Sequence, residues 1–192
     1  MLILMSKVHT VFPKTIYECE NVLVEELERL STFCTTQFEY SRTPLLNVPS
    51  THKVDDKLHT YTETKKLVNE ICIHTVAYCH HLGYTTEEIS DLKIVNMWTN
   101  VSSKGDYIFP HVHSDSFISG VYYIECEEDE IVFFNNPTEI MDRRPTNKNE
   151  YNYDYYKFSC NPGKLLLFKS NMLHGTHAQN SKRKIGISFN IR

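Results

Sequence analysis

Pro110-His111-Val112-His113-Ser114-Asp115-Ser116-Phe117, followed at once by Ile118-Ser119-Gly120-Val121-Tyr122-Tyr123-Ile124, is the stretch on which the fold turns. Its second part is rich in β-branched and aromatic residues and short enough to be a buried strand. Its first part sets two histidines and an aspartate at alternate positions. Residues i, i+2 and i+4 of an extended chain share one face, so His111, His113 and Asp115 can all turn to one point. Neutral imidazole and carboxylate are suitable ligands for Fe(II), and two histidines with one further protein ligand on one face leave positions open on the metal. Either His111 with His113, or His113 with Asp115, can form the pair. A third ligand must come from elsewhere in the chain. Leu173-His174-Gly175-Thr176-His177, just after the apolar run 163–168, offers two candidates, of which His177 is the neighbour and not the expected ligand.

Working outward, further strand-like runs lie at 94–98, 131–134, 164–168 and 184–191, separated by turn residues. The upstream half has another rhythm. Leu23, Leu27, Leu30 and Cys34 fall at helical spacing behind Asn21 as a cap, and Leu67, Ile71, Tyr78 and Leu82 repeat it, with Gly83 as a stop. Helices first and strands afterwards predict an α+β, mainly β fold: a jelly roll with N-terminal helices packed on one sheet. One domain spans 1–192, with 1–91 as mainly helical support and 92–192 as the β core that carries the metal site. The polar stretch 136–156, with Pro137, Pro145, Tyr151, Tyr153, Tyr155 and Tyr156, is expected to be a long loop, either a substrate lid or a solvent-exposed connector.

Composition narrows the function. A net charge of −4 and a pI near 6.2 provide no broad basic field, so neither nucleic acid nor an anionic membrane is an expected partner. The six cysteines contain no C-x-x-C pair, which argues against a zinc knuckle or a dithiol motif and for reduced thiols. The apolar start, residues 1–5, is too short for a signal-peptide core or a spanning helix, and the expected compartment is the cytoplasm. No G-x-S-x-G, P-loop or G-x-G-x-x-G occurs, so hydrolase, NTPase and dinucleotide-enzyme chemistry lack support.

The basic run Lys182-Arg183-Lys184 precedes the last strand. Parity separates its members. Lys184, Gly186, Ser188 and Asn190 alternate onto one small or polar face, whereas Arg183 shares the other with Ile185, Ile187 and Phe189.

Trp98-Thr99-Asn100, Gly105-Asp106-Tyr107, His111-Val112-His113 and the run 116–123 occur in an order that resembles one family. Asn136-Pro137, the run 162–168, His174 and the run 185–190 continue that order. The family is the 2-oxoglutarate- and Fe(II)-dependent oxygenases of marine bacteria and their phages, kin to prolyl-hydroxylase-like enzymes. The resemblance implies a double-stranded β-helix that uses Fe(II), 2-oxoglutarate and O2. It implies hydroxylation of a C–H bond with release of succinate and CO2. It favours His111, His113 and His174 as metal ligands and catalytic residues. Most of the wider superfamily uses His-x-Asp/Glu, so Asp115 stands as the alternative ligand or as a residue that orients one. Lys184 occupies the place of the family's Arg and is expected to receive the far carboxylate of 2-oxoglutarate as a point charge, with Arg183 as its competitor. Tyr123 adds a hydroxyl donor, and Ser188 and Asn190 complete the cofactor face. Two rival functions remain: a cupin-like metal enzyme that does not use 2-oxoglutarate, and an inert jelly-roll binding module. The substrate, small-molecule or peptidyl, has no signature in the sequence.

Overall fold

A computed structural model describes residues 7, 9–42, 47–135 and 145–192. Its strands form two antiparallel sheets. The larger has the order β1 (Ile16–Cys19), β7 (Leu165–Lys169), β4 (Ile118–Glu125), β9 (Arg183–Ile191) and β2 (Ile94–Ser103). The smaller runs β3 (Ile108–His111), β8 (His174–Thr176), β5 (Asp129–Phe134) and β6 (Tyr155–Cys160). With the helices α1 (Leu27–Thr36) and α2 (Lys65–His81) added, this is the expected double-stranded β-helix with its helical support.

The central strands of the larger sheet are apolar on both faces because both are covered. Ile118, Tyr122, Leu165, Leu167, Ile185, Ile187 and Phe189 pack with Leu30, Phe33, Leu67 and Ile71 of the helices. Their alternates, Val121, Tyr123, Leu166 and Phe168, meet Ile131, Phe133 and Cys160 between the sheets. Strand alternation thus sends one set of side chains to the helices and the other to the barrel interior. Gly120 is pinned between the layers, since an added Cβ would collide with the Phe189 ring and the Leu166 carbonyl.

The stop expected at Gly83 is present. Gly83 has φ +93°, and the amides of Leu82 and Tyr84 return to Tyr78 O and Cys79 O, closing the last turn of α2. The start of α1 differs from expectation. Asn21 sits in a turn at φ +59°, a 3-10 turn covers Val24–Glu26, and no side chain caps the helix.

The strands that sequence periodicity misses are β1, β3, β6 and β8. β8 has only 3 residues, too few for a pattern. β3 contains Pro110 and is tolerated because it is the edge of the smaller sheet. β6 begins at Tyr155, inside the expected loop, and its Tyr156 pairs with Phe133. Residues 136–144, with the Asn136-Pro137 motif and much of the expected loop, lie outside the described residues. Tyr151, Tyr153, Tyr155 and Tyr156 are exposed. Among the described residues no helix is long and apolar enough to cross a membrane.

Candidate metal centre

Three histidines meet where β3 and β8 pair. His111 closes β3 opposite His174, the first residue of β8, and His113 follows in the turn that leads to β4. One ring nitrogen from each of His111, His113 and His174 lies within 4.8 Å of the other two. The strands approach closely because residue 175 is glycine: an added Cβ would sit 2.7 Å from Ile108 O.

Each ring is oriented by a hydrogen bond at Nδ1. His111 Nδ1 donates to Phe109 O at 2.8 Å, and His174 Nδ1 donates to Met172 O at 2.9 Å. His113 Nδ1 donates to the side-chain oxygen of Asn190 at 2.5 Å, which also accepts from Ser119 Oγ at 2.8 Å. The carbonyl oxygens can only accept, so these bonds fix the proton on Nδ1 and leave the Nε2 lone pair to a metal. Asn190 therefore acts behind His113, a different place from the cofactor face to which strand parity assigned it. The backbone amide of His113 donates to Ser170 O at 2.8 Å and anchors the turn.

Burial keeps the rings neutral. Desolvation lowers the pKa of His111, brings His113 down to about 4 and brings His174 down to about 3; the proximity of the other rings pushes His113 and His174 further the same way. Three neutral imidazoles with convergent lone pairs fit a divalent first-row metal such as Fe(II).

Asp115 does not join them. It is exposed in the turn after His113 and lines an outer groove, and among the described residues the cluster contains the histidines alone. His177 is exposed beside Tyr155, with ring centroids 6.3 Å apart.

On the inner side, His111, His113 and His174 open into a cavity between the sheets, lined also by Tyr123, Gln179, Lys184 and Ser188. Lys184 is 5% exposed, and its Nζ donates to Gln179 Oε1 at 2.8 Å and lies 5.2 Å from the centre of the Tyr123 ring. Burial raises the Tyr123 pKa well above its ordinary value, so its hydroxyl stays protonated and able to donate. Ser188 Oγ accepts from Asn100 Nδ2 at 3.2 Å, whose Oδ1 is buried without a partner among the described residues. Arg183 points away. It is exposed and makes a double hydrogen bond to Glu125 at 2.7 and 2.6 Å.

Gln179, Asn100, Ser102 and Thr176 are cavity residues that sequence reasoning missed. Asn100 and Ser102 share a face of β2, and Thr176 shares one with His174 on β8, so parity could have found them. Gln179 lies in no pattern. The β2–β3 turn places it, through Gly105 N to Gln179 O at 3.0 Å and Gln179 N to Asp106 O at 2.8 Å. Arg42 and Ser103 N in turn bind the Asp106 carboxylate.

Solved structures of low sequence identity share this fold. A Pseudomonas putida prolyl-4-hydroxylase superimposes with a TM-score of 0.63 at 10% identity, covering 93% of each chain. HygX from Streptomyces hygroscopicus, solved with nickel and 2-oxoglutarate bound, gives 0.64 at 9% identity over 93% of this chain and 82% of its own. The viral collagen prolyl hydroxylase of Paramecium Bursaria Chlorella virus-1, a 2-oxoglutarate complex, gives 0.58 at 11% identity over 92% and 95%. No curated protein sequence matches the chain. The family model described as "Putative 2OG-Fe(II) oxygenase" matches residues 96–190, which carry all three histidines and Lys184. Residues 96–190 thus carry a 2OG-Fe(II) oxygenase domain, and the chain is a 2-oxoglutarate- and Fe(II)-dependent oxygenase.

Proposed function

We propose that His111, His113 and His174 hold the iron, that Lys184 receives the far carboxylate of 2-oxoglutarate, and that the enzyme hydroxylates a C–H bond of a small-molecule or peptidyl substrate. One observation carries this reading: a cavity lined both by three convergent imidazoles and by a buried ammonium that feels the nearby Asp129 carboxylate but, among the described residues, forms no ion pair with any carboxylate. A buried charge needs a partner, and a dicarboxylate that reaches from metal to ammonium supplies one. When bound, Fe(II) with 2-oxoglutarate supplies the oxidising chemistry, coupling release of succinate and CO2 to hydroxylation.

The protein's residues position and insulate. Phe109 O, Met172 O and Asn190 hold the imidazoles in the tautomer that ligates. Gln179 and the Tyr123 ring hold the Lys184 ammonium, and Val121, Ile131 and Phe168 give the cavity apolar walls that exclude water. In this reading 1–192 is a single oxygenase domain, from a bacterial or phage source on the resemblance above. Six free cysteines support a cytoplasmic site. Anaerobic reconstitution with Fe(II), then aerobic incubation with 2-oxoglutarate, tests the proposal. Iron at one per chain with succinate formed is the expected result, and an iron-loaded protein that forms no succinate would refute it.

A further inference from the structure

The row of side chains that β9 turns towards the metal centre continues past Asn190. Arg192 follows on the same face, and with Asn190 it lines a second, open groove that shares His111 and His113 with the Lys184 cavity but does not include Lys184. Lys53, Lys57, His52 and Asp115 line the same groove. Lys57 is largely answered: its Nζ donates to Val95 O at 2.9 Å and lies 3.5 Å from Asp56 Oδ1. Lys53 and Arg192 are exposed, and among the described residues neither has a carboxylate partner. The contrast with the other described arginines decides the matter. Arg29, Arg42 and Arg183 are paired with Glu26, Asp106 and Glu125. A chain of net charge −4 thus leaves two unanswered cations beside the outer face of its metal histidines. Such a groove concentrates anions.

We infer that the substrate carries an anionic group, carboxylate or phosphate, which Arg192 and Lys53 receive in this groove while the target carbon lies over the histidines. This deepens the proposed function and rests on it. The row on β9 then has a cation at each end, Lys184 for the cosubstrate inside and Arg192 for the substrate outside, with the metal between.

The test uses the chain loaded with Ni(II) and 2-oxoglutarate, titrated separately with tetraglutamate, inorganic phosphate and tetralysine. Trp98 reports binding, since it is the single tryptophan and its ring lies 4.6 Å from that of His52 in the groove. A saturable response to an anionic probe is expected, weakened about fivefold by Arg192→Gln and by Lys53→Gln and further by added salt. Lys65→Gln, at the start of α2, leaves it unchanged. Tighter binding of phosphate or of tetraglutamate identifies which anion the groove prefers. The inference fails if neither anion saturates, if Arg192→Gln and Lys53→Gln bind as the parent does, or if tetralysine is preferred. Failure of Ni(II) or 2-oxoglutarate to bind in the loading step instead refutes the proposed function, and this inference with it.

Discussion

The Nζ of Lys184 is held by Gln179 Oε1 at 2.8 Å, and among the described residues no carboxylate forms an ion pair with it, although the buried Asp129 carboxylate lies near enough to feel its charge. An amide oxygen can orient an ammonium without neutralising it, so the charge remains available to a bound anion.

Lys184→Ala is expected to raise the 2-oxoglutarate concentration needed for half-maximal succinate formation. A hydrogen bond to a charged group contributes about 1.5 to 3 kcal/mol, or roughly ten- to a hundredfold in affinity. Arg183→Ala, at the exposed pair with Glu125, changes it little. Gln179→Glu should act like Lys184→Ala, because a carboxylate there would neutralise the ammonium. A larger effect from Arg183→Ala than from Lys184→Ala would show that the assignment is one residue out.

Replacing His174 by Ala removes one of the three convergent nitrogens. Loss of iron and of succinate formation is expected, with a circular dichroism spectrum like that of the parent. Iron at the parent's stoichiometry in His174→Ala would remove that residue from the ligand set.

The second ligand is decided by comparing three alanine variants. His111→Ala should be as damaging to iron affinity as His113→Ala, whereas Asp115→Ala, at an exposed turn position outside the cluster, should keep its iron. Asn190→Ala, which frees the His113 ring, should fall between, with a loss of about 10- to 100-fold in metal affinity or activity. If Asp115→Ala loses iron while His111→Ala retains it, the three-histidine site is wrong.

The metal-free protein should lose stability on acidification. Folding holds His113 near 4 and His174 near 3, against an ordinary value of 6.5. Below 6.5 the unfolded chain takes up protons that the folded chain refuses, so unfolding becomes easier as pH falls from 6.5 towards 4 and on to 3. Melting temperatures measured across that range should fall less steeply in a His113→Gln, His174→Gln double variant. Equal slopes would argue against buried neutral rings.

Gly175→Ala places a methyl group 2.7 Å from Ile108 O, in the backbone of the strand that presents His111. Overpacking of this kind costs about 1 to 3 kcal/mol. Both the melting temperature and the iron affinity should fall, and an unchanged iron affinity would mean that β3 and β8 need not approach so closely for the ligands to converge.

Local pattern was enough to locate much of this protein. The His111-x-His113 spacing on an extended segment, the apolar strands around 118–124, 164–168 and 184–191, the stop of α2 at Gly83 and the split between Lys184 and Arg183 all follow from periods of two or of helical turns within one element. Tertiary structure alone decided what depends on two distant segments meeting. The pairing of β3 with β8 sets His111 against His174 and leaves Asp115 outside, though alternation on a single strand had put all three residues numbered 111, 113 and 115 on one face. The chain turns after His113, and that turn ends the alternation. Asn190 likewise belongs by parity to the cofactor face, but contact across the sheet turns its amide to His113. Gln179 reaches Lys184 because the β2–β3 turn holds its backbone from far along the chain. Side-chain periodicity is a property of one strand, whereas a ligand set is a property of the point where strands cross, and only the packed sheets determine that point.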